Sequence, residues 1–264
     1  MKYALIIGAA SGLAIETICE LKEYEIFACD LSYKEIKKEG NIHYLPCDVT
    51  NNSSIYSVYD YVNKITDKLA IITNFAGIVI LGSMVELPLD SLDKIISINL
   101  TSTYKFNSLF YNHIKNGNGR IINISSEYGR LDAIPFHGYY PVSKHAVEVY
   151  NDSLRRELLS SGIKVVCIRP GAFKTNMQGG ILNQFDKLVE ETELYKKPLL
   201  KMKHIMVAEL EKAKNPKLFV KAYLKALNKK NPKRYYNVNN SLKMKLLSAL
   251  PQWLQDKIFK YYFG

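Results

Sequence analysis

Short runs of β-branched and apolar residues alternate with longer amphipathic stretches through the first two thirds of this 264-residue chain. This alternation is typical of repeated strand–helix–strand units, which build a parallel sheet and cover both of its faces with helices. It predicts an α/β fold: a doubly wound parallel sheet of about seven strands in a single domain over residues 1–264. The predicted strands are residues 3–8, 26–30, 42–47, 69–75, 119–125, 164–169 and 234–238.

A glycine-rich turn follows the first predicted strand. The sequence Gly8-Ala-Ala-Ser-Gly12-Leu-Ala14 leads into a helical pattern over residues 15–21. Such a turn lets backbone N–H groups and the positive end of a helix meet a pyrophosphate, at the rim where open α/β sheets bind ligands. A purely structural glycine turn would look the same, so the motif needs support from elsewhere in the chain.

Asp30 gives that support, because it ends the second predicted strand. A carboxylate at this place can hydrogen-bond a ribose hydroxyl, and it would repel the extra phosphate of NADP. The alternative is that Asp30 only caps the following helix. The sequence therefore predicts a dinucleotide site that prefers NAD, while Lys34, Lys37 and Lys38 keep NADP possible.

Tyr140 and Lys144 form the candidate reaction centre. Residues four apart share one face of a helix, where an ammonium can favour the ionised form of a phenol. The same spacing occurs at Tyr33/Lys37 and Tyr111/Lys115, but only Tyr140/Lys144 follows an apolar strand that ends in serine. A long amphipathic helix, ended by Gly162, is predicted to begin near Tyr140, with Val149 and Leu159 on its buried apolar stripe.

These motifs, in this order, resemble the short-chain dehydrogenase/reductase family over about residues 3–238, which implies a Rossmann-like fold. The resemblance implies a catalytic set of Asn99, Ser126, Tyr140 and Lys144, with Ser125 as the competing serine. Tyr140 would be the acid/base, Ser126 would bind the substrate oxygen, Lys144 would hold the nicotinamide ribose, and Asn99 would hold a proton-relaying water. Cofactor contacts are expected from Gly8, Ser11, Gly12, Leu13, Asp30, Asp48, Asn74, Ala76, Gly77, Tyr140, Lys144, Pro170, Gly171 and Thr175.

The family resemblance also implies a reaction and a substrate region. The reaction would be NAD- or NADP-dependent hydride transfer between a secondary alcohol and a ketone. Residues 151–158 are similar to the retinol and hydroxysteroid dehydrogenase branch, and residues 176–213 would form an apolar substrate lid, which favours a bulky apolar substrate. The alternatives are a reductase of oxoacyl thioesters or small ketones, a sugar-nucleotide epimerase, and a non-catalytic protein that senses NAD.

Charge and composition indicate which other kinds of partner, site and location are expected for the protein. The net charge of +11 belongs to the C-terminal part: residues 196–264 hold 17 Lys and Arg against three Asp and Glu, whereas residues 1–195 hold 19 against 22. No nucleic-acid-binding motif accompanies this basicity, so we expect no nucleic-acid partner. The four scattered cysteines are predicted to be buried, no metal site is expected, and His137 is predicted to be a solvated loop residue. Without a signal peptide or a spanning segment, a cytoplasmic location is expected.

Residues 241–264 form a basic, amphipathic C-terminal extension with the pattern of two short helices. Three positions remain open for it: on the protein's own substrate cleft, on a partner subunit, or on an anionic membrane as a peripheral contact. A homo-dimer or homo-tetramer is expected.

Overall fold

The computed structural model describes residues 1–10, 12–175 and 177–264. Its strands are β1 (Lys2–Ile7), β2 (Tyr24–Asp30), β3 (Lys37–Glu39), β4 (Ile42–Pro46), β5 (Ile71–Asn74), β6 (Arg120–Ile124), β7 (Lys164–Pro170) and β8 (Tyr235–Val238). They form one sheet in the order β3-β4-β2-β1-β5-β6-β7-β8. Every neighbouring pair is parallel except β3 with β4. The doubly wound parallel sheet is therefore confirmed.

The helices lie between and after these strands. They are α1 (Gly12–Ile18), α2 (Asn52–Ile65), α3 (Ser91–Ile96), α4 (Ser102–Leu109), α5 (Tyr111–Asn116), α6 (Tyr140–Glu157), α7 (Met177–Glu191), α8 (Lys196–Leu210), α9 (Lys217–Asn228), α10 (Leu242–Ser248) and α11 (Gln252–Phe263). A π-helical segment, Ser97–Thr101, joins α3 to α4, and a 3₁₀ turn, Glu127–Gly129, follows β6. The two helices predicted for the C-terminal extension are α10 and α11.

Each face of the sheet carries its own apolar core. Successive side chains of a strand point to opposite faces, so Ala4 and Ile6 of β1 join one core while Leu5 and Ile7 join the other. Helix α9 covers the first face, and helices α2, α4 and α5 contribute to the second. This two-sided burial explains why the central strands are almost continuously apolar.

A third apolar cluster lies outside the sheet and builds the region predicted as a lid. Phe185 of α7 packs with Leu199 and Met202 of α8 against Leu81, and Phe263 of α11 packs on the same cluster. The predicted lid residues, 176–213, thus correspond to α7, α8 and their flanking turns. Asn176 lies outside the described residues.

Three details differ from the sequence predictions. Strand β3 was not predicted, because its Lys-Lys-Glu sequence is exposed and lacks an apolar pattern. Val149 and Leu159, predicted on the buried stripe of α6, are 69% and 67% exposed. Cys19 is exposed, whereas the other three cysteines are buried as predicted. Among the described residues, no helix is long and apolar enough to cross a membrane.

Candidate active site

The glycine turn after β1 approaches the backbone after β5 too closely for any side chain. Gly8 has φ +78°, and a Cβ built on it would lie 2.5 Å from Ala76 N. Gly12 also has a positive φ, +57°, which other residues rarely adopt. Both glycines line a cavity together with Leu13, Ala76 and Gly77. The predicted contact Ser11 lies outside the described residues.

The two predicted carboxylates, Asp30 and Asp48, stand at the same rim and line the same cavity. Asp30 Oδ2 accepts a hydrogen bond from Ala10 N at 3.0 Å, so this side chain holds the glycine turn as well. Asp48 Oδ1 accepts from Thr50 N at 2.8 Å. Both residues therefore stand where the resemblance requires contacts to the adenosine half of a dinucleotide.

The lysines that kept NADP possible are engaged elsewhere. Lys38 pairs with Glu25, and Lys37 pairs with Glu39 on the edge strand β3. Neither they nor Lys34 line the cavity. Among the described residues, the Asp30 carboxylate therefore lines the cavity, whereas Lys34, Lys37 and Lys38 do not.

Asn74 does not line the cavity, although it was predicted to contact the cofactor. Its Nδ2 donates to Asn107 Oδ1 and Asn123 Oδ1, both at 2.9 Å, inside a buried amide network. Asn123 Nδ2 extends the network to Asn151 Oδ1 at 3.0 Å. The Asn74 side chain therefore fixes β5 against its neighbours, and the following residues, Ala76 and Gly77, reach the cavity instead.

Asn99 lies in the π-helical segment, a rare geometry that is frequent at functional sites. Its Oδ1 accepts from Ile78 N at 2.8 Å, and its Nδ2 donates to Ile78 O at 3.0 Å and to Ser143 Oγ at 2.9 Å. A Cβ on Gly77 would lie 3.3 Å from Asn99 Oδ1. The Asn99 side chain thus clamps the segment after β5 onto α6, and it does not itself line the cavity.

Ser126 and Tyr140 both line the cavity wall. Burial raises the pKa of the Tyr140 phenol, the neighbouring Ser126 hydroxyl partly counteracts this, and the nearby Glu127 carboxylate raises the pKa further. The neighbouring Ser125 lies 3.5 Å from Lys144 O and is wedged against Gly129, whose Cβ would stand 2.4 Å from Ser125 Oγ. The geometry favours Ser126 over Ser125 as the partner of Tyr140.

Lys144 lies one helical turn after Tyr140 on α6. Its Nζ is 5.9 Å from the Tyr140 ring centroid and donates to Ile124 O at 3.1 Å. Burial lowers the pKa of Lys144 to about 8. The sequence predicted that Lys144 would lower the pKa of Tyr140, but burial of the phenol dominates and the pKa is raised.

The segment after β7 closes the cavity on the other side. Pro170, Gly171 and Thr175 all line it, as predicted. A Cβ on Gly171 would stand 2.1 Å from Asn239 O, so only glycine fits there. Thr175 lies beside the glycine turn, since its Cβ and Cγ2 are 4.0 Å from a Cβ built on Gly12. The glycine turn after β1, the Tyr140 region and the segment after β7 are far apart in the sequence but line the same cavity.

The cavity has a volume of about 400 Å³ and extends from the glycine turn to the lid. The lid contributes Ile181, Met206, Glu209 and Leu210, and the loop after β5 contributes apolar side chains as well. Gln184 of α7 fixes the lid to that loop by accepting from Leu81 N at 2.9 Å. The lid end of the cavity is accordingly largely apolar.

Glu127 and His137 are among the cavity-wall residues that were not identified from the sequence as part of the site. Glu127, directly after Ser126, is only 8% exposed, and His137 is 2% exposed, so the prediction of a solvated His137 is wrong. Burial raises the pKa of Glu127 to about 7 and lowers that of His137 to about 4. Glu127 could have been noticed only as a charge inserted beside the motif serine.

The C-terminal extension packs on the site loop and the lid. Glu127 Oε2 accepts from Ser241 N at 2.7 Å, and Asp132 N donates to Ser248 Oγ at 2.9 Å. Phe263 packs against Phe136 with ring centroids 5.6 Å apart. Of the three positions left open by the sequence, the structure shows the extension on the protein's own cleft.

In the part of the chain that the structure describes, no group of three or more His, Cys, Asp or Glu side chains could hold a metal ion.

Comparison with known proteins gives a consistent result. A sequence model described as short chain dehydrogenase matches residues 2–185. The NADPH-dependent 3-dehydrocapnine reductase of Ornithobacterium rhinotracheale is 31% identical over 73% of this chain and 78% of that protein. The 3-ketodihydrosphingosine reductase of Bacteroides thetaiotaomicron is 27% identical over 97% of this chain and 94% of that protein. Retinol dehydrogenase 7 of Mus musculus is 28% identical over 75% of this chain and 67% of that protein.

Solved structures share the fold. A short chain dehydrogenase from Burkholderia cenocepacia in complex with NADP superposes with a TM-score of 0.73 at 18% identity, covering 98% of this chain and 99% of that one. A 4-hydroxyisoleucine dehydrogenase complexed with NADH gives a TM-score of 0.69 at 19% identity, covering 90% of this chain and 96% of that one.

Proposed function

Because this chain belongs to the short-chain dehydrogenase family and leans towards its retinol dehydrogenase-like branch, we propose that it transfers a hydride between a nicotinamide cofactor and a secondary alcohol or ketone. The observation that carries this proposal is the meeting of Ser126, Tyr140 and Lys144 in one cavity with the glycine turn. The bound cofactor supplies or accepts the hydride, and the protein positions the reactants and moves the proton.

Tyr140 is the proposed acid/base. In ketone reduction, its phenol donates a proton to the oxygen that gains negative charge; in alcohol oxidation, its phenolate removes the hydroxyl proton. The phenol, whose pKa is raised, is protonated at neutral pH and so is in the form that donates to a ketone oxygen. Ser126, which lines the cavity beside the phenol, would hold the same substrate oxygen.

Lys144 and Asn99 would support this centre in different ways. The Lys144 ammonium lies beside Gly77 and the end of β6, which supports a role in binding the nicotinamide ribose. Asn99 would act through position, because its side chain is fully used in holding Ile78 and Ser143. The relaying water predicted for Asn99 stays a prediction.

The cofactor proposal is NAD rather than NADP. The glycine turn offers the close backbone approach that a pyrophosphate requires, and Asp30 lies where the ribose of the adenosine half would sit. A carboxylate there disfavours an added phosphate, and Lys37 and Lys38 are held in ion pairs on the sheet edge. The Burkholderia structure was solved with NADP, so the preference has to be measured on this protein.

A bulky apolar substrate is the proposed class. The largely apolar lid end of the cavity, with Ile181, Met206 and Leu210, supports it. Two relatives are named as reductases of 3-dehydrocapnine and 3-ketodihydrosphingosine, and one as a retinol dehydrogenase. The alternative of a non-catalytic NAD sensor has less support, because a sensor has no need of Ser126, Tyr140 and Lys144 together in one cavity.

A direct test is to incubate the purified protein with NAD(H) or NADP(H) and with panels of long-chain ketones, sterols, retinoids, oxoacyl thioesters and small ketones. Absorbance of the reduced nicotinamide reports turnover. We expect the highest kcat/KM with a bulky apolar ketone. Cofactor binding without turnover of any compound would favour the sensor, and preference for an oxoacyl thioester would favour the alternative enzyme.

For assembly, we propose a homo-oligomer formed through α4 and α6. Tyr104 and Val149 are exposed on this face, where Leu100 and Ala146 line a second, shallow apolar hollow. A second copy of the chain would bury it. Light scattering of the wild type and of Val149→Glu tests this: the variant should have the smaller mass, and an unchanged mass would contradict the interface. The cytoplasmic location stays a prediction.

A peripheral membrane contact is the last part of the proposal. On α11, Trp253 and Tyr261 are 59% and 90% exposed, and Lys257 Nζ lies 5.1 Å from the Trp253 ring centroid. Interfacial aromatics with lysines suit an anionic lipid surface. Co-sedimentation with phosphatidylglycerol vesicles should exceed that with phosphatidylcholine vesicles, and Trp253→Ala should reduce it. Equal binding to both vesicle types would contradict the contact.

A further inference from the structure

Glu127 is an uncompensated acid in the wall of the reaction cavity. Its side chain is 8% exposed and lines the cavity directly after Ser126. Ser241 N donates to Oε2 at 2.7 Å, and a Cβ on Gly171 would be 3.2 Å from Oε1. Within the described ranges, no Lys, Arg or His forms an ion pair with it. A buried carboxylate without a cation is costly, so its place beside the reacting groups needs a reason.

This charge acts against the reaction as long as it is unpaired. A carboxylate near Tyr140 disfavours the phenolate, and Glu127 is one of the groups that raise the pKa of the phenol. A structural role through Ser241 alone would be met by an uncharged acceptor such as glutamine. A cation brought in by the substrate would neutralise the carboxylate only when the site is filled.

His137 gives an independent indication of a ligand at the same place. It lines the cavity and is 2% exposed, and the Pro135 backbone on its own loop is its hydrogen-bonding neighbour, which leaves a ring nitrogen without a partner. Burial lowers its pKa to about 4, so the ring is neutral at physiological pH. A neutral imidazole does not repel a cation, and its unprotonated nitrogen can accept a hydrogen bond from one.

Glu209, the carboxylate that the lid contributes to the cavity wall, differs from Glu127 in one respect. It accepts a hydrogen bond from Lys212 Nζ at 2.7 Å and so has its own cation. Asp30 and Asp48 line the cavity at the glycine-turn rim, so Glu127 is the carboxylate without a cation beside Tyr140.

We propose that Glu127 and His137 form a subsite for a primary ammonium group, so that the substrate is a long-chain ketone or alcohol with a protonated amine next to the reacting carbon. Glu127 accepts from the ammonium and neutralises its charge, while the apolar chain extends under the lid. This inference rests on the proposed function and adds the substrate class to it.

The experiment compares two probes: an alkyl ketone with an ammonium on the carbon next to the carbonyl, and the same ketone without the amine. The kcat/KM ratio of the two is measured for the wild type, Glu127→Gln and Glu209→Gln. Glutamine at 127 keeps an acceptor for Ser241 N but removes the charge. Comparing ratios between variants cancels the intrinsic reactivity of each ketone.

We expect Glu127→Gln to lower the ratio by at least about tenfold, because loss of one partner of a buried charge pair is among the larger effects in binding. Glu209→Gln should retain the preference for the amine. An unchanged ratio in Glu127→Gln, or the same loss in Glu209→Gln, would overturn the assignment.

A binding measurement separates this inference from the proposed reaction. Calorimetric titration of a long-chain primary alkylamine and of the matched alcohol needs no turnover. The wild type should bind the amine more tightly, and Glu127→Gln should lose that difference. Amine binding without turnover of either ketone would contradict the proposed reaction alone, whereas turnover of both ketones without amine preference would contradict the subsite alone.

Discussion

Replacing Glu127 by glutamine should stabilise the protein above neutral pH. Burial raises the pKa of Glu127 from 4.5 to about 7. Between these two pH values the native protein binds more protons at this site than the unfolded chain does, so the free energy of unfolding falls as pH rises through this window. Glutamine cannot ionise, and the variant therefore avoids that loss.

The magnitude follows from the shift. One pKa unit corresponds to 1.36 kcal/mol, so a rise from 4.5 to about 7 corresponds to about 3 kcal/mol at pH 8. The side chain is almost fully buried, so solvent screening removes little of this effect. For a chain of this length, the unfolding midpoint of the variant should be roughly 6 to 12 °C higher at pH 8.

The assay is denaturation of the wild type and Glu127→Gln by urea and by heat, at several pH values from about 4 to 8. The free energy of unfolding of the variant should exceed that of the wild type by an amount that grows as pH rises from 4.5 to about 7. Above that pH the difference should stay constant. A gap that does not depend on pH, or a wild type more stable at pH 8, would refute the reasoning.

Glu86 provides a control of opposite sign. Burial raises its pKa, but hydrogen bonds from Leu194 N, the Thr192 hydroxyl and Glu193 N outweigh burial, so that the pKa is lowered. Its contribution is present above the ordinary pKa of 4.5 and is lost as pH falls through the lowered value. Glu86→Gln should therefore lose stability relative to the wild type as pH rises.

The remaining predictions concern turnover, cofactor choice and the C-terminal extension. Tyr140→Phe should lower kcat by about 100-fold to 10,000-fold without weakening cofactor binding, as judged by nicotinamide fluorescence; near-normal turnover would contradict its role. Ser126→Ala should cost more than Ser125→Ala in kcat/KM, and the reverse order would reassign the serine. The wild type should turn over faster with NAD(H) than with NADP(H) at equal concentration, and Asp30→Ala should reduce the difference between the two rates. A faster wild-type rate with NADP(H) would contradict the role given to Asp30. Deleting residues 241–264 should raise KM for the substrate while NAD still binds, and unchanged kinetics would show that the extension is dispensable.

Local pattern was sufficient to predict the strands of the first two thirds of the chain except β3. A parallel strand buried on both faces needs a nearly continuous apolar run, and such runs mark β1, β2, β5, β6 and β7 directly. Most of the candidate site followed instead from the family resemblance. Gly8 was predicted from the glycine-turn motif and Gly171 from the resemblance, and the structure gives the physical reason, because a Cβ at either position would meet backbone atoms.

Features that depend on distant partners were not predictable. Val149 and Leu159 continue the helical period of α6, and periodicity alone cannot show that nothing covers them. His137 is buried because the loop after β6 folds under the lid, and Glu127 gains its partner from Ser241, more than a hundred residues later. Asn74 and Asn99 were predicted beside the cavity, but the buried amide and backbone partners that hold them lie on other elements.

The central position of β1 in the sheet bears on how the protein folds. Its neighbours come from different parts of the chain: Ala4 lies opposite Ile26 of β2 on one side and opposite Ile71 of β5 on the other. The second pairing closes a long loop, which is a slow, entropically costly step. Since the glycine turn depends on the backbone at Ala76 for its shape, NAD affinity during refolding should appear late, together with the global transition, and cofactor binding can serve as a kinetic probe of complete sheet formation.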